Sequence, residues 1–286
     1  MGRTRHGAGV VHRVRVTTPD GTQLAVHETG PHGAPAVVLL HGWAAAATAW
    51  PEQISDELRV LAVDLRGHGE SDVPSGGYDD PDAWAGDVSA VLDHVGAPAV
   101  LVGWSYGGLV ITDYLRRHGT RGVAGVVLVG AITEIGRGRS GGHIGPAMRA
   151  ALPDALSDDP SRAVPALLDL TVSMTADPAP GADVQRALAT SLRVPPSVRA
   201  ALFRRDVASA DVLERVDVPA LLVHGTKDAV VDPKATDYAA GLIPGAEVSW
   251  YADTGHMPFV ERADQFRADL VTFVHRCATT ASRIES

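Results

Sequence analysis

The run Gly103-Trp104-Ser105-Tyr106-Gly107-Gly108 sets a serine among glycines at the spacing G-x-S-x-G. It directly follows the apolar stretch Ala99 to Val102 and precedes a helical pattern from Leu109 to His118. A serine on so tight a strand-to-helix turn must hold a strained backbone, and a side chain two residues to either side would collide with neighbouring elements. In return its Oγ stands at the N-terminus of a helix, where free N–H groups and the helix dipole favour developing negative charge. Ser105 is therefore the candidate nucleophile. A serine hydroxyl attacks poorly at neutral pH, so a base must take its proton and an acid must orient that base.

Two later segments supply both. Leu221 to Asp228 is an apolar run ending in a loop with a carboxylate, and Asp253-Thr254-Gly255-His256-Met257-Pro258 puts a histidine in a loop after the last apolar run. His256 is the candidate base and Asp228 the candidate acid. The chain has 12 histidines; His6, His12, His94, His118 and His275 read as surface or core residues, and His41 and His68 as structural hydrogen-bonding groups. Glu134, Asp232 and Asp253 compete with Asp228, because most acids in such loops form turns or cap helices. Trp43, Trp104 and Tyr106 adjoin the expected reaction centre and are candidates for a substrate pocket, with packing between sheet and helix an equal reading for Trp104. Ile135, Met174, Phe203 and Met257 could add apolar walls, although a helix bearing such residues more often buries them in its own core. Gly136-Arg137-Gly138-Arg139 and Gly141-Gly142 read as a mobile lid entrance rather than a phosphate loop, since no strand and helix frame them.

The elements that must hold these residues are legible as short apolar runs alternating with helical patterns, the sign of a mostly parallel sheet covered on both faces. Val10 to Thr17 and Gln23 to Glu28 flank the turn Pro19-Asp20-Gly21 and predict an antiparallel hairpin. Further strands are expected at 36–40, 60–63, 99–102, 123–129 and 220–223, with a weaker one at 247–251, and their continuous apolarity implies burial on both faces. From Ile132 to about Asp211 no strand is evident, and helical stretches are broken by Pro146, Pro153, Pro160, Pro165, Pro178, Pro180, Pro195 and Pro196. This predicts a helical lid at 132–211 inserted into a core domain of residues 1–131 and 212–286.

Bulk properties narrow the function classes. The net charge of −9 over 286 residues, with arginines dispersed among acids, argues against nucleic-acid binding. No apolar run nears the roughly 18 residues of a membrane span, and no signal-peptide core follows the basic start Met1 to His6. His6 also stands where a myristoylation motif wants Ser or Thr. The protein is therefore expected to start at Met1 and to be cytoplasmic. Cys277 is the only cysteine, so neither an internal disulfide nor a cysteine-based metal site is expected. A small-molecule substrate without metal or cofactor is the expected partner; the sequence leaves a homo-oligomer open.

Together these segments resemble the α/β-hydrolase superfamily over roughly residues 20 to 275, most of all its serine esterase, cofactor-free haloperoxidase and lactonase branch. The chain order Ser105, Asp228, His256 is that of the superfamily. His41-Gly42-Trp43 and Asp64-Leu65-Arg66-Gly67-His68-Gly69-Glu70-Ser71 match two further loops, the first contributing to the oxyanion hole and the second mainly structural. The resemblance implies an eight-stranded, mostly parallel sheet. It also implies backbone N–H groups of Trp43 and Tyr106 as the oxyanion hole, where losing a donor typically costs ~10²–10³ in rate. Some members carry the acid after the sixth strand, but that strand ends here in Gly130, which cannot serve. A serine, unlike an aspartate, would form a stable ether with an alkyl carbon, so an acyl carbon is expected: an ester, lactone, thioester, or a carbon–carbon bond beside a ketone. Haloperoxidase-like members commonly have proline after the His-Gly-aromatic motif. Ala44 stands there in this chain, which favours hydrolysis over perhydrolysis. Acyl transfer, carbon–carbon hydrolysis and a non-catalytic binding role are the remaining readings.

Overall fold

The computed structural model describes residues 11–51 and 54–284; the expectations about Met1 to His6 and the start of the first strand at Val10 lie outside the described residues. Eight strands form one sheet: β1 (His12–Thr17), β2 (Gln23–Thr29), β3 (Ala36–Leu40), β4 (Arg59–Val63), β5 (Ala99–Trp104), β6 (Val123–Val129), β7 (Ala220–Gly225) and β8 (Glu247–Tyr251). Their order is β1-β2-β4-β3-β5-β6-β7-β8. The β1–β2 hairpin and the β2–β4 pair are antiparallel, and all pairs from β4–β3 to β7–β8 are parallel.

Successive strand residues point to opposite faces, and both faces of the central strands are covered. Val38, Leu40, Leu101, Val126, Leu128 and Leu222 pack with Trp84, Val88 and Val91 of α1 (Pro81–Val95) and Leu109 and Val110 of α2 (Tyr106–His118). Val37, Leu39, Val100, Val102, Val127 and Val223 pack on the other face with Phe266, Leu270 and Phe273 of α10 (Ala263–Ile284). This two-sided burial is why the strands read as apolar runs rather than as alternations. β8, at the sheet edge, is mostly exposed, which accounts for its weaker signal.

Between β6 and β7 the chain forms α3 (Pro146–Ala155), α4 (Pro160–Val172), α5 (Gly181–Arg193), α6 (Pro196–Leu202) and α7 (Ala210–Leu213). Pro146, Pro160 and Pro196 start α3, α4 and α6, where a missing N–H costs nothing. Pro153 and Pro165, expected to break helices, instead lie inside α3 and α4. Each helix tolerates one absent backbone hydrogen bond there. The two ends of this helical segment are tied together: Ile135 and Val207 exchange N–H···O bonds of 3.1 and 2.7 Å. Beside them the buried carboxylate of Glu134 accepts from Gly141 N (3.0 Å), Ser209 N (2.8 Å) and Tyr238 Oη (3.0 Å). After β7 come α8 (Lys234–Leu242) and, beyond β8, α9 (Pro258–Glu261). No helix among the described residues is long and apolar enough to cross a membrane.

Candidate active site

Ser105 joins β5 to α2 with φ +55° and ψ −117°, a conformation that costs any residue with a side chain. The glycines around it are dictated by space. A Cβ at Gly103 would lie 2.6 Å from the Gly107 carbonyl, one at Gly107 2.2 Å from the Leu40 oxygen, and one at Gly108 2.6 Å from the Ala131 Cβ. Ser105 is 7% exposed and its main chain is fixed by Ser105 N to Val129 O and Ile132 N to Ser105 O, at 3.0 and 3.1 Å.

The loop after β3 passes directly beside this serine: a Cβ at Gly42 would lie 3.0 Å from the Ser105 Cβ. His41 fixes the loop's path. Its Nδ1–H donates to Gly42 O (2.8 Å) and its Nε2 accepts from Leu65 N (3.0 Å), a pattern that only the neutral ring can make. Burial holds its pKa below the ordinary histidine value. His68 donates from Nδ1 to Arg66 O (2.9 Å) and lies 5.1 Å from the His41 ring. Its pKa is pushed down to about 3 by burial, then by the nearby His41. Both histidines have the structural part expected of them. Asp64 joins the two loops, accepting from Ala47 N (2.7 Å) and Glu70 N (2.9 Å). Trp43 and Tyr106, the expected oxyanion donors, follow Gly42 and Ser105 and are buried.

On the other side, Asp228 sits in the loop after β7. Its Oδ1 accepts from Val230 N (2.8 Å) and Val231 N (2.9 Å), and its Oδ2 lies 2.7 Å from His256 Nδ1 and 3.2 Å from His224 Nε2. Burial alone would raise its pKa, but His256 and His224 hold it far below the usual carboxylate range. With Nδ1 donating to Asp228, His256 keeps its Nε2 lone pair for a proton. His256 is itself 1% exposed, its N–H donates to Met174 O (2.8 Å), and its carbonyl accepts from Trp104 Nε1 (2.9 Å). Gly130, directly after β6, abuts the pair: a Cβ there would lie 3.1 Å from both Asp228 Oδ2 and His256 Nδ1.

The rival acids have other occupations. Glu134 closes the neck of the insertion, Asp232 accepts from Lys234 N (3.0 Å) at the start of α8, and Asp253 pairs with Lys227 at the exposed surface (2.7 Å). Among the pocket candidates, Trp104 is a wedge beneath His256 rather than a free wall; its ring lies 5.3 Å from the histidine and 5.2 Å from Phe259. Ile135 bridges to Val207 through its main chain, and its side chain is buried in the core. Phe203 meets Trp43 edge to face at 5.5 Å. Met174 and Met257 are half-buried against the core.

Three further groups that hold these residues carry no mark in the sequence. The Met174 carbonyl holds His256 from within the insertion. Trp43 Nε1 donates to Arg199 O (3.1 Å), and Arg205 Nη1 donates to Tyr106 Oη (3.0 Å) while its Nη2 grips both oxygens of Asp113 at 2.7 Å. These contacts join residues 82 to 156 positions apart or rest on main-chain atoms, so no local spacing marks them.

Residues 37–269 match a family described as the alpha/beta hydrolase family. An esterase from a Rhodococcus species superposes with a TM-score of 0.89 at 47% identity, covering 92% of this chain and 98% of that one. A non-heme chloroperoxidase from Streptomyces lividans is 31% identical over 91% of this chain and 98% of its own length. A bifunctional esterase/perhydrolase from Acinetobacter calcoaceticus is 29% identical with the same coverage.

Proposed function

Since the chain belongs to the α/β-hydrolase family, we propose that it is a carboxylic ester hydrolase working through a Ser105 acyl-enzyme. The observation that carries this reading is the 2.7 Å contact between His256 Nδ1 and Asp228 Oδ2, in a chain whose Ser105 heads α2. His256 Nε2 takes the Ser105 proton as Oγ attacks the acyl carbon. The oxyanion of the tetrahedral intermediate accepts from the N–H groups of Trp43 and Tyr106. The intermediate collapses as His256 returns its proton to the leaving alcohol, and water, deprotonated by His256, then cleaves the acyl-enzyme to a carboxylic acid and regenerates Ser105. Asp228 stays ionised throughout and stabilises the imidazolium.

The β6–β7 insertion acts as the lid, and its Phe203 and Met174, with Trp43 and Met257, suit a small and largely apolar ester or lactone. The enzyme is taken to work in the cytoplasm, in keeping with a chain whose one cysteine is an unpaired, buried thiol. Perhydrolysis is a second reading, prompted by the chloroperoxidase and perhydrolase relatives. The loop conformation weighs against it: Ala44 has φ +53°, which a proline, locked near −65°, cannot adopt.

A fluorophosphonate probe combined with esters and lactones of graded acyl length tests the proposal. The intact protein should be labelled and should hydrolyse part of the panel, Ser105→Ala should do neither, and Asp228→Asn should lose on the order of 10⁴ in kcat. An intact protein that neither labels nor hydrolyses any member would sink it.

A further inference from the structure

The catalytic-histidine loop is not held by the sheet domain alone. Gly255 and His256 run alongside Met174 to Ala176, the stretch of the insertion between α4 and α5, so closely that a Cβ on Gly255 would lie 2.7 Å from Ala176 N and 3.0 Å from Met174 O. His256 N–H donates across this junction to Met174 O at 2.8 Å. Two further N–H groups at the junction, of Gly255 and of Ala176, face neither a helix nor a strand partner. Both are met by one side chain: Gly255 N donates to Glu261 Oε1 and Ala176 N to Glu261 Oε2, each at 2.8 Å.

Glu261 ends α9, five residues after the histidine, and is half-buried. Its chemistry fits the task closely. Two donors converge from two parts of the chain 79 residues apart, and an ionised carboxylate is the side chain that offers an acceptor oxygen to each without bringing a donor of its own. Charge-assisted bonds of this kind are stronger than neutral ones. The bracket fixes the Thr254–Gly255 peptide against the insertion and Met174 O holds the next one, while Asp228 fixes the imidazole and Trp104 the His256 carbonyl.

We propose that Glu261 is a positioning residue for the reaction: by bracketing Gly255 and Ala176 it sets the height of His256 above Ser105 and couples that height to the seating of the insertion. This rests on the ester-hydrolase reading above. Glu261 touches neither substrate nor reacting atoms. Its loss acts on the geometry of proton transfer, so it lowers kcat more than it changes KM.

The test compares Glu261→Gln and Glu261→Ala with the intact enzyme on one ester that the intact enzyme hydrolyses, with active sites titrated by fluorophosphonate so that kcat is counted per working site. Glutamine keeps the size but offers one acceptor oxygen, and turns an NH₂ toward the second N–H. Because displacements of about 1 Å at a catalytic group can cost on the order of 10²-fold, both variants should lose about 10-fold or more in kcat per site, with KM within about 2-fold. Amide exchange at Gly255 and Ala176 should quicken in both. A Glu261→Gln enzyme with undiminished kcat per site overturns the proposal, as does a variant whose only change is a raised KM. If Glu261→Ala fails to fold, the glutamine variant decides alone. Inactivity of the intact enzyme on every ester would instead overturn the ester-hydrolase reading, so the two failures are distinguishable.

Discussion

Gly130 shows how finely the Asp228–His256 contact is fitted. Its φ of +47° lies in the left-handed region, and the space beside it is filled by the side chains of Asp228 and His256. In Gly130→Ala the backbone would pay roughly 1–2 kcal/mol for that conformation, and the methyl group would press on Asp228 Oδ2 and His256 Nδ1, both 3.1 Å from the new Cβ. We expect kcat to fall by about 10-fold, since such contacts can displace a catalytic group by a fraction of an ångström. Melting temperature should drop by about 2–8 °C, at ~2–4 °C per kcal/mol for a chain somewhat larger than a typical domain. Unchanged kinetics with the lowered melting temperature would mean that the pair has room to spare. Ser105, Asp228 and His256 stand out in the sequence because each lies in a turn beyond a strand, the first two beyond fully buried strands, where a polar side chain has few other uses. The bracket made by Glu261 and the carbonyl of Met174 do not, because what they contribute is an acceptor oxygen to a main-chain N–H of another segment, and nothing in residue type or spacing records that.

Among the elements, α6 and the residues just after it lie over both predicted oxyanion donors. Trp43 hands its indole N–H to Arg199 O at one end, and Arg205 meets Tyr106 Oη and Asp113 at the other. The Arg205 and Asp113 side chains are fully buried, so the bond joins the segment between β6 and β7 to α2 through a desolvated ion pair. Burial pushes the Asp113 carboxyl up to about 6, against the pull of Arg205. Arg205→Met should therefore leave an uncompensated buried carboxylate and cost about 3–5 kcal/mol. The double change Arg205→Met with Asp113→Leu removes both charges and should recover most of that loss. Thermal melts of the two variants at neutral pH check this, and equal melting temperatures would show that the pair is not the source. The helical character of this region is readable from the loss of strand runs, and three of its helix starts from proline at the first position. Which helix face meets the sheet domain is not readable. Arg205 and Asp113 are 92 positions apart, and each is locally one charged residue among many. Pro153 and Pro165 mislead for the opposite reason: a strong local preference is overridden by helices that bury Ala155 and Leu167 around them.

At the scale of the whole molecule, the neutral histidines His41 and His68 tie the stability of the fold to pH. Both are buried at the junction of the loop after β3 and the loop after β4, facing each other and Asp64. In the unfolded chain a histidine takes up a proton near its ordinary pKa of 6.5, whereas folded His68 does so only at about 3. Between those values the unfolded state binds more protons, so stability rises with pH and is lost as the pH falls from about 6.5 toward 3. One such group contributes a slope of up to about 1.4 kcal/mol per pH unit, and His41, shifted in the same direction, adds to it. Asp64 enters lower down. Burial would raise its pKa, but its hydrogen bond with His27, the nearby His41 and the N–H groups of Glu70 and Ala47 hold it at about 2. Its contribution is present above its ordinary value of 3.8 and disappears as the pH falls through about 2. His68→Asn retains a donor for Arg66 O but cannot titrate. Urea denaturation at pH 7, 6, 5 and 4 should find this variant less stable than the intact protein at pH 7, with a shallower loss per pH unit below 6, so that the two curves converge toward acid. Parallel curves would mean that His68 is already protonated in the folded state, or that the two states titrate alike, and acid sensitivity would then have to come from the carboxylates alone.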